Sequence, residues 1–195
     1  MKCGAGTDDP LFELSDVSVN FGDTEALKKV TVSIPRGGIV AICGRSASGK
    51  STLLNVLGLL RVGRHEGKVT YHPPEGHGHT VTFDKIDAEE ATRCRSQQFG
   101  FILQSSYLLP FLKAAENAQL PLLIRNTTGE ARQTAFSRIT TQLNGVAEST
   151  DSRDDLKQAA QNLPDSISGG QKQRFGILRA LIHDPLVVFA DEPCA

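Results

Sequence analysis

Leu11 to Val19 alternates loosely between apolar and polar residues, which predicts a strand. Phe21 to Glu25 is a polar turn containing Gly22 and Asp23. Leu27 to Ile34 alternates again, giving a second strand closed by Pro35-Arg36-Gly37-Gly38. Ile39 to Cys43 is short and wholly apolar, the pattern of a strand buried on both faces. Ser51 to Leu60 carries Leu53, Leu54, Val56, Leu57 and Leu60 and predicts a strongly apolar helix. From Arg61 to Asp84 the chain is rich in Gly, Pro and His, so surface hairpin and loop are expected. Phe99 to Leu103 predicts another apolar strand, closed by Gln104. Ala114 to Ser166 reads as largely helical, with polar breaks near Asn126-Thr127-Thr128-Gly129 and Asn144-Gly145. Gly170 to His183 has a helical apolar face at Phe175, Leu178 and Ile182, and Leu186 to Ala190 predicts a last buried strand. The simplest architecture is α/β, with a helical insert between two parts of a sheet.

Composition narrows the class without choosing a function. The 195 residues suffice for one substantial core with a small subdomain. Hydrophobic residues make up 39%, charged residues 22%, and the net charge is −1, which gives no electrostatic case for nucleic acid or lipid as a direct partner. Apolar runs such as Leu53 to Leu60 are far too short to cross a bilayer. Met1 to Pro10 is polar and lacks an apolar signal core. Cys3, Cys43, Cys94 and Cys194 form no C-x-x-C pair and read as reduced cytosolic thiols.

The chemistry lies in three short segments. Gly44-Arg45-Ser46-Ala47-Ser48-Gly49-Lys50-Ser51 fits the phosphate-binding pattern G-x-x-x-x-G-K-[ST], between a predicted strand and a predicted helix. Small side chains let backbone N–H groups wrap phosphate oxygens, and the helix aims its positive end at the same anion. Lys50 would reach the β- and γ-phosphates, and the Ser51 hydroxyl would ligate Mg²⁺. Ser168-Gly169-Gly170-Gln171 is an S-x-x-Q capping box opening the next helix. Its two glycines remove side chains where a phosphate could approach the helix N-terminus. Leu186 to Ala190 runs into Asp191 and Glu192. Asp191 can hold Mg²⁺ through water, and Glu192 can accept a proton from an attacking water. His72, His77 and His79 lie in a Pro/Gly-containing loop with no convincing fourth ligand for zinc, so a solvated loop is expected. Arg93 and Arg95 read as a solvated helix face.

In this order and spacing the motifs resemble the ATP-binding subunit of ATP-binding cassette (ABC) transporters, over almost the whole chain from Leu11 to Ala195. Walker A is Gly44–Ser51. The signature is Ser168-Gly169-Gly170-Gln171, preceded by Ile167 where Leu is usual. Walker B is Leu186–Asp191, with Glu192 as catalytic base. Gln104 matches the Q-loop glutamine, a Mg²⁺ and water sensor in the family. Phe21 stands where the family stacks an aromatic ring on adenine. Phe99-Gly100-Phe101-Ile102-Leu103-Gln104, Leu108-Leu109-Pro110, Glu116-Asn117 and Pro121-Leu122-Leu123-Ile124 resemble the branch of lipoprotein-release and macrolide-export ATPases.

The resemblance implies a P-loop NTPase fold with a RecA-like parallel core, an N-terminal antiparallel β subdomain and an α-helical subdomain. Residues 11–104 and 184–195 would form the core and β subdomain, and 105–183 the helical one. It implies ATP bound by Phe21 and by Gly44 through Thr52. Lys50, Gln104 and Glu192 would act in catalysis, and Ser51, Gln104 and Asp191 on Mg²⁺. A second cassette, in a homodimer, would offer Ser168 to Gln171 in trans. An integral membrane permease would dock the pair at the inner face of the cell membrane, with no nucleic acid partner. Two alternatives stand beside this: a truncated cassette with little or no hydrolysis, and a soluble non-transport ABC-type ATPase. Ala47 departs from a common Gly, and Cys194 from a common Thr. The chain also stops before the family's D-loop and switch histidine. In that fold the strand after Walker B lies between the Walker A and Walker B strands, so Ile39–Cys43 and Leu186–Ala190 should each lack a neighbour.

Overall fold

The computed structural model describes residues 10–61, 65–146 and 156–192. Cys3, Cys194 and the polar stretch 147–155 lie outside the described residues. The chain divides between Arg93 and Cys94 into two compact units.

The first unit is built on a hairpin. Strands β1 (Pro10–Phe21) and β2 (Thr24–Pro35) pair antiparallel from Pro10↔Pro35 to Phe21↔Thr24. β3 (Glu66–Tyr71) and β4 (Val81–Thr82) extend them into a four-stranded sheet of order β2-β1-β3-β4. Alternation on β1 decides the buried face: Phe12, Leu14, Val17 and Val19 are all inside. Phe12 stacks on Tyr71 at 4.9 Å between centroids and meets Phe83 edge-on at 6.4 Å. Each such ring removed from water contributes about 1.5–3 kcal/mol. Helix α1 (Lys50–Leu57) buries Val56 and Leu57. The predicted hairpin and apolar helix are therefore present. α2 (Ala88–Gln98) starts with the Glu90 N–H donating to Asp87 Oδ1 at 2.7 Å, and its chain continues into the second unit. Arg93 on this helix lies 3.6 Å from Glu90, with its side chain mostly exposed.

The second unit holds β5 (Phe99–Ile102), α3 (Ala114–Ile124), α4 (Gly129–Val146), a 3₁₀ turn at Pro164–Ser166, α5 (Gly169–Leu181) and β6 (Val187–Ala190). β5 and β6 pair in parallel, with Phe189 edge-on to Phe99 and stacked on Phe101. Ala114, Ala118, Ile139, Leu156, Phe175 and Leu178 pack the helical core. The break at Asn126–Gly129 separates α3 from α4. The second predicted break does not occur, because α4 continues through Asn144 and Gly145.

One predicted strand is absent. Residues 39–43 form no ladder among the described residues, and Ile39 is 100% exposed. An all-apolar strand is buried by neighbours on both sides, and no described strand supplies one. β6 is likewise less buried than its composition predicts. It pairs on one side with β5, and Val188 is 39% exposed. The fold class is α/β, with an antiparallel β unit and a parallel pair, as expected.

Candidate functional site

The candidate phosphate loop, Gly44–Ser51, lies in the first unit. Gly49 caps α1 at φ +87°, and a Cβ there would come within 2.3 Å of the Ala26 carbonyl oxygen. Both facts demand glycine. The Lys50 ammonium folds back over the loop, donating to the carbonyls of Gly44 at 3.1 Å and Arg45 at 2.8 Å. The Ser48 N–H closes the turn on Arg45 O at 3.3 Å. Ala47 takes φ +59°, a left-handed conformation that disfavours a Cβ. Ser51 and Thr52 follow in the first turn of α1. Phe21 ends β1 and pairs with Thr24, two residues before Ala26. At the strand rise that is roughly 7 Å, so the ring and the loop share one end of the hairpin.

In the second unit the parallel register does the positioning. Ile102 pairs with Ala190, and the Asp191 N–H donates to Ile102 O at 2.9 Å. Two residues beyond that pair on each strand, Gln104 Nε2 donates to Glu192 Oε2 at 3.0 Å. Glu192 has φ +48°, so the chain turns sharply as it leaves the strand. The amide fixes one carboxylate oxygen and leaves the other free to accept a proton. Gln104, Asp191 and Glu192 are thus brought to one edge. Lys50, Ser51 and Phe21 belong to the other unit.

Ser168 caps α5 as the sequence predicts. Its Oγ accepts from Gln171 N at 3.2 Å, and Gln171 Oε1 accepts from Ser168 N at 2.7 Å. A Cβ on Gly169 or Gly170 would meet nothing within 4 Å. The two glycines therefore serve no packing need within the described chain.

Residues 27–195 match the ABC transporter family. The chain belongs to that family. It is 39% identical over 191 residues to the macrolide export ATP-binding/permease protein MacB 1 of Aeromonas hydrophila, covering 95% of this chain and 26% of that protein. It is 36% identical over 189 residues to the pyoverdine export ATP-binding/permease protein PvdT of Pseudomonas aeruginosa, covering 94% and 26%. The chain thus spans about a quarter of the length of these curated relatives. Among solved structures it resembles the cassette MJ0796, a dimer in a post-hydrolysis state bound to ADP and Pi. That match has 32% identity and a TM-score of 0.74, over 94% of this chain and 74% of that one. A second dimeric structure of the same cassette gives a TM-score of 0.76. Of the lipoprotein-release and macrolide-export branch expected from the Phe99–Gln104, Leu108–Pro110, Glu116–Asn117 and Pro121–Ile124 strings, macrolide-export proteins are among the relatives found.

Within the ABC cassette, two residues organise the segment after Gln104 that the motifs did not reveal. Arg179 on α5 donates to the carbonyls of Ser106 and Tyr107. Burial lowers its guanidinium from the ordinary value. Asn117 is fully buried, accepts from Leu109 N at 2.6 Å, and donates to the carbonyls of Leu109, Leu112 and Lys113. A buried backbone group left unpaired costs about 1–3 kcal/mol, so this side chain fixes the loop's path. The string Glu116-Asn117 was a visible signal, but its carbonyl partners are set by the loop's return path.

Among the described residues the histidine loop gathers no metal-ligating cluster. His72 Nε2 lies 3.1 Å from Glu13 Oε2, and His79 Nε2 lies 2.9 Å from Glu90 Oε1. No group of three His, Cys, Asp or Glu side chains among the described residues could hold an ion.

Proposed function

We propose that this chain is the ATP-binding and ATP-hydrolysing cassette of an ABC-type export complex. The Gln104–Glu192 pair at the end of the β5–β6 ladder carries the reading. A carboxylate oriented by an amide, just beyond a Walker B strand, is the arrangement a general base for water needs. Lys50, now on the Gly44 and Arg45 carbonyls, would exchange them for β- and γ-phosphate oxygens, which are charged and stronger acceptors. Backbone N–H groups from Gly44 to Thr52 would cradle the phosphates, and the half-exposed Phe21 ring would stack on adenine. Ser51, Gln104 and Asp191 offer hard oxygen donors, which fit Mg²⁺ and would hold it. Its charge would offset that of the β- and γ-phosphates.

A second cassette completes the proposed site. The open N-terminus of α5, with Ser168 and Gly170, would close on the γ-phosphate held by the partner copy. Support comes from the solved cassette, which is a dimer. The relatives named as ATP-binding/permease proteins support a membrane permease as the driven partner. No helix among the described residues is long and apolar enough to cross a membrane. With the permease as its membrane partner, the cassette would work at the inner face of the cell membrane.

The test is Glu192→Gln in the complete transporter. ATP binding should persist and phosphate release should fall by at least about a hundredfold, the lower range for a positioned base. Unchanged phosphate release would remove Glu192 from that role.

A further inference from the structure

Phe21 is a ring with one face already taken. The guanidinium carbon of Arg61 lies over it, 3.9 Å from the centroid. That is contact distance for a cation stacked on an aromatic face. Among the described residues no carboxylate pairs with Arg61, so the ring is what holds its guanidinium. Phe21 nevertheless remains 46% exposed. A planar guanidinium covers one side of a phenyl ring and leaves the other to solvent.

The surrounding chain makes this contact a built feature of the phosphate-loop end. Gly49 abuts Ala26 on β2, two residues from the Thr24 that pairs with Phe21. α1 begins at Lys50, and the same segment returns after Leu59, at φ +56°, to place Arg61 on the ring. One continuous stretch, 44–61, therefore carries both the candidate phosphate loop and the cover of the ring. Lys50 is occupied on its own loop carbonyls, so the two cations do not compete for one position.

We infer that Arg61 is a positioning residue for the nucleotide base. It backs the Phe21 ring on one face so that adenine stacks on the other. This rests on the proposal above that Phe21 stacks on adenine. A phenyl ring at the end of a hairpin is otherwise free to turn about its side-chain bonds, and binding would have to stop that motion. A guanidinium stacked behind it removes part of that ordering cost before the base arrives. Because the Arg61 guanidinium lies on the ring, its effect belongs to ligands that carry a base.

The experiment titrates the 195-residue chain with Mg·ATP and, separately, with magnesium tripolyphosphate, which keeps the phosphates and lacks the base. The parent, Phe21→Ala, Arg61→Ala, Arg61→Lys and the double alanine variant are compared by calorimetry. Arg61→Ala should weaken ATP binding about two- to fivefold, the size of an exposed cation–π contact. Tripolyphosphate affinity should not move, which also reports that the loop is still folded. Arg61→Lys should fall between parent and alanine, since it keeps the charge and loses the planar stack. In the Phe21→Ala background the Arg61 change should add nothing.

Each failure is separable. Phe21→Ala binding ATP like the parent would sink the stacking reading, and Arg61's role with it. Weakened ATP binding in Phe21→Ala with parental affinity in Arg61→Ala would overturn the Arg61 role alone. Tighter ATP binding in Arg61→Ala would make the guanidinium a cover that the base must displace, again overturning it. Equal loss of ATP and tripolyphosphate in Arg61→Ala would mark a residue needed for folding of the loop and would overturn its base-specific role. A parent that binds neither ligand would remove the phosphate-loop reading and this proposal together.

Discussion

At the scale of single residues, the glycines separate structure from chemistry. Gly49 is fixed by its own chain, because Ala26 leaves no room for a Cβ and φ is positive. Gly170 is not, because a Cβ there meets open space. Gly170→Ala should therefore leave the thermal midpoint unchanged or raise stability by up to about 1 kcal/mol, alanine being the better helix former. The same variant should weaken ATP-dependent pairing of two cassettes, read by light scattering of the complete transporter's cassettes with and without nucleotide. Full pairing in Gly170→Ala would mean that nothing approaches this helix end. The motif spacing made all of these residues visible in the sequence. The Lys50 contacts to Gly44 and Arg45 were not visible, since they depend on how the loop folds back. Ala47 was visible as a departure, and its φ of +59° shows that the loop keeps its left-handed turn despite the Cβ.

At the scale of elements, the second unit depends on how closely β5 approaches α5. A Cβ on Gly100 would lie 2.3 Å from the Ala180 carbonyl oxygen and 3.0 Å from Pro185. Strand and helix would have to separate, so Gly100→Ala should cost about 1–3 kcal/mol, measured by urea unfolding. A loss below the error of that measurement would show that the contact yields cheaply. His183, just past α5, fastens the same two elements by donating from Nε2 to the Phe99 carbonyl at 3.0 Å. Its Nδ1 has no partner among the described residues. Burial lowers its pKa below the ordinary 6.5, and Arg125 adds to this, while the Phe99 bond and Asp184 act the other way. The unfolded chain therefore takes up a proton at His183 before the folded one does. The stability this neutral ring contributes is full above 6.5 and declines as pH falls through and below it. His65 in the first unit, lowered by burial against Asp84, acts in the same direction. Urea midpoints taken between about pH 7.5 and 5.5 should fall with pH, and His183→Gln should flatten the slope. An unchanged slope in that variant would place the titration elsewhere.

At the scale of the whole molecule, the exposed apolar run 39–43 is the feature with the largest physical consequence. Ile39 and Val40 face water, and no described strand pairs with the segment. Uncharged apolar residues with free backbone groups are a template for pairing with another chain. The 195-residue chain should self-associate with rising concentration, and Ile39→Lys should suppress this in sedimentation velocity. Equal association in the variant would clear the segment of that role. The sequence by itself determined the local elements, because alternation and helical spacing act over a few residues, and the motifs, because their chemistry depends on residue type and short spacing. The β1–β2 hairpin, α1, β5, α5 with its Ser168–Gln171 cap, β6, and the ABC kinship were all legible in this way. Tertiary structure decided whatever depends on partners distant in the chain. The β5–β6 register sets Gln104 on Glu192, 88 positions away. Arg61 reaches Phe21 only because the chain returns after α1. Residues 39–43 carry the composition of a buried strand, yet a strand exists only where another backbone supplies the hydrogen bonds, and composition cannot supply the neighbour.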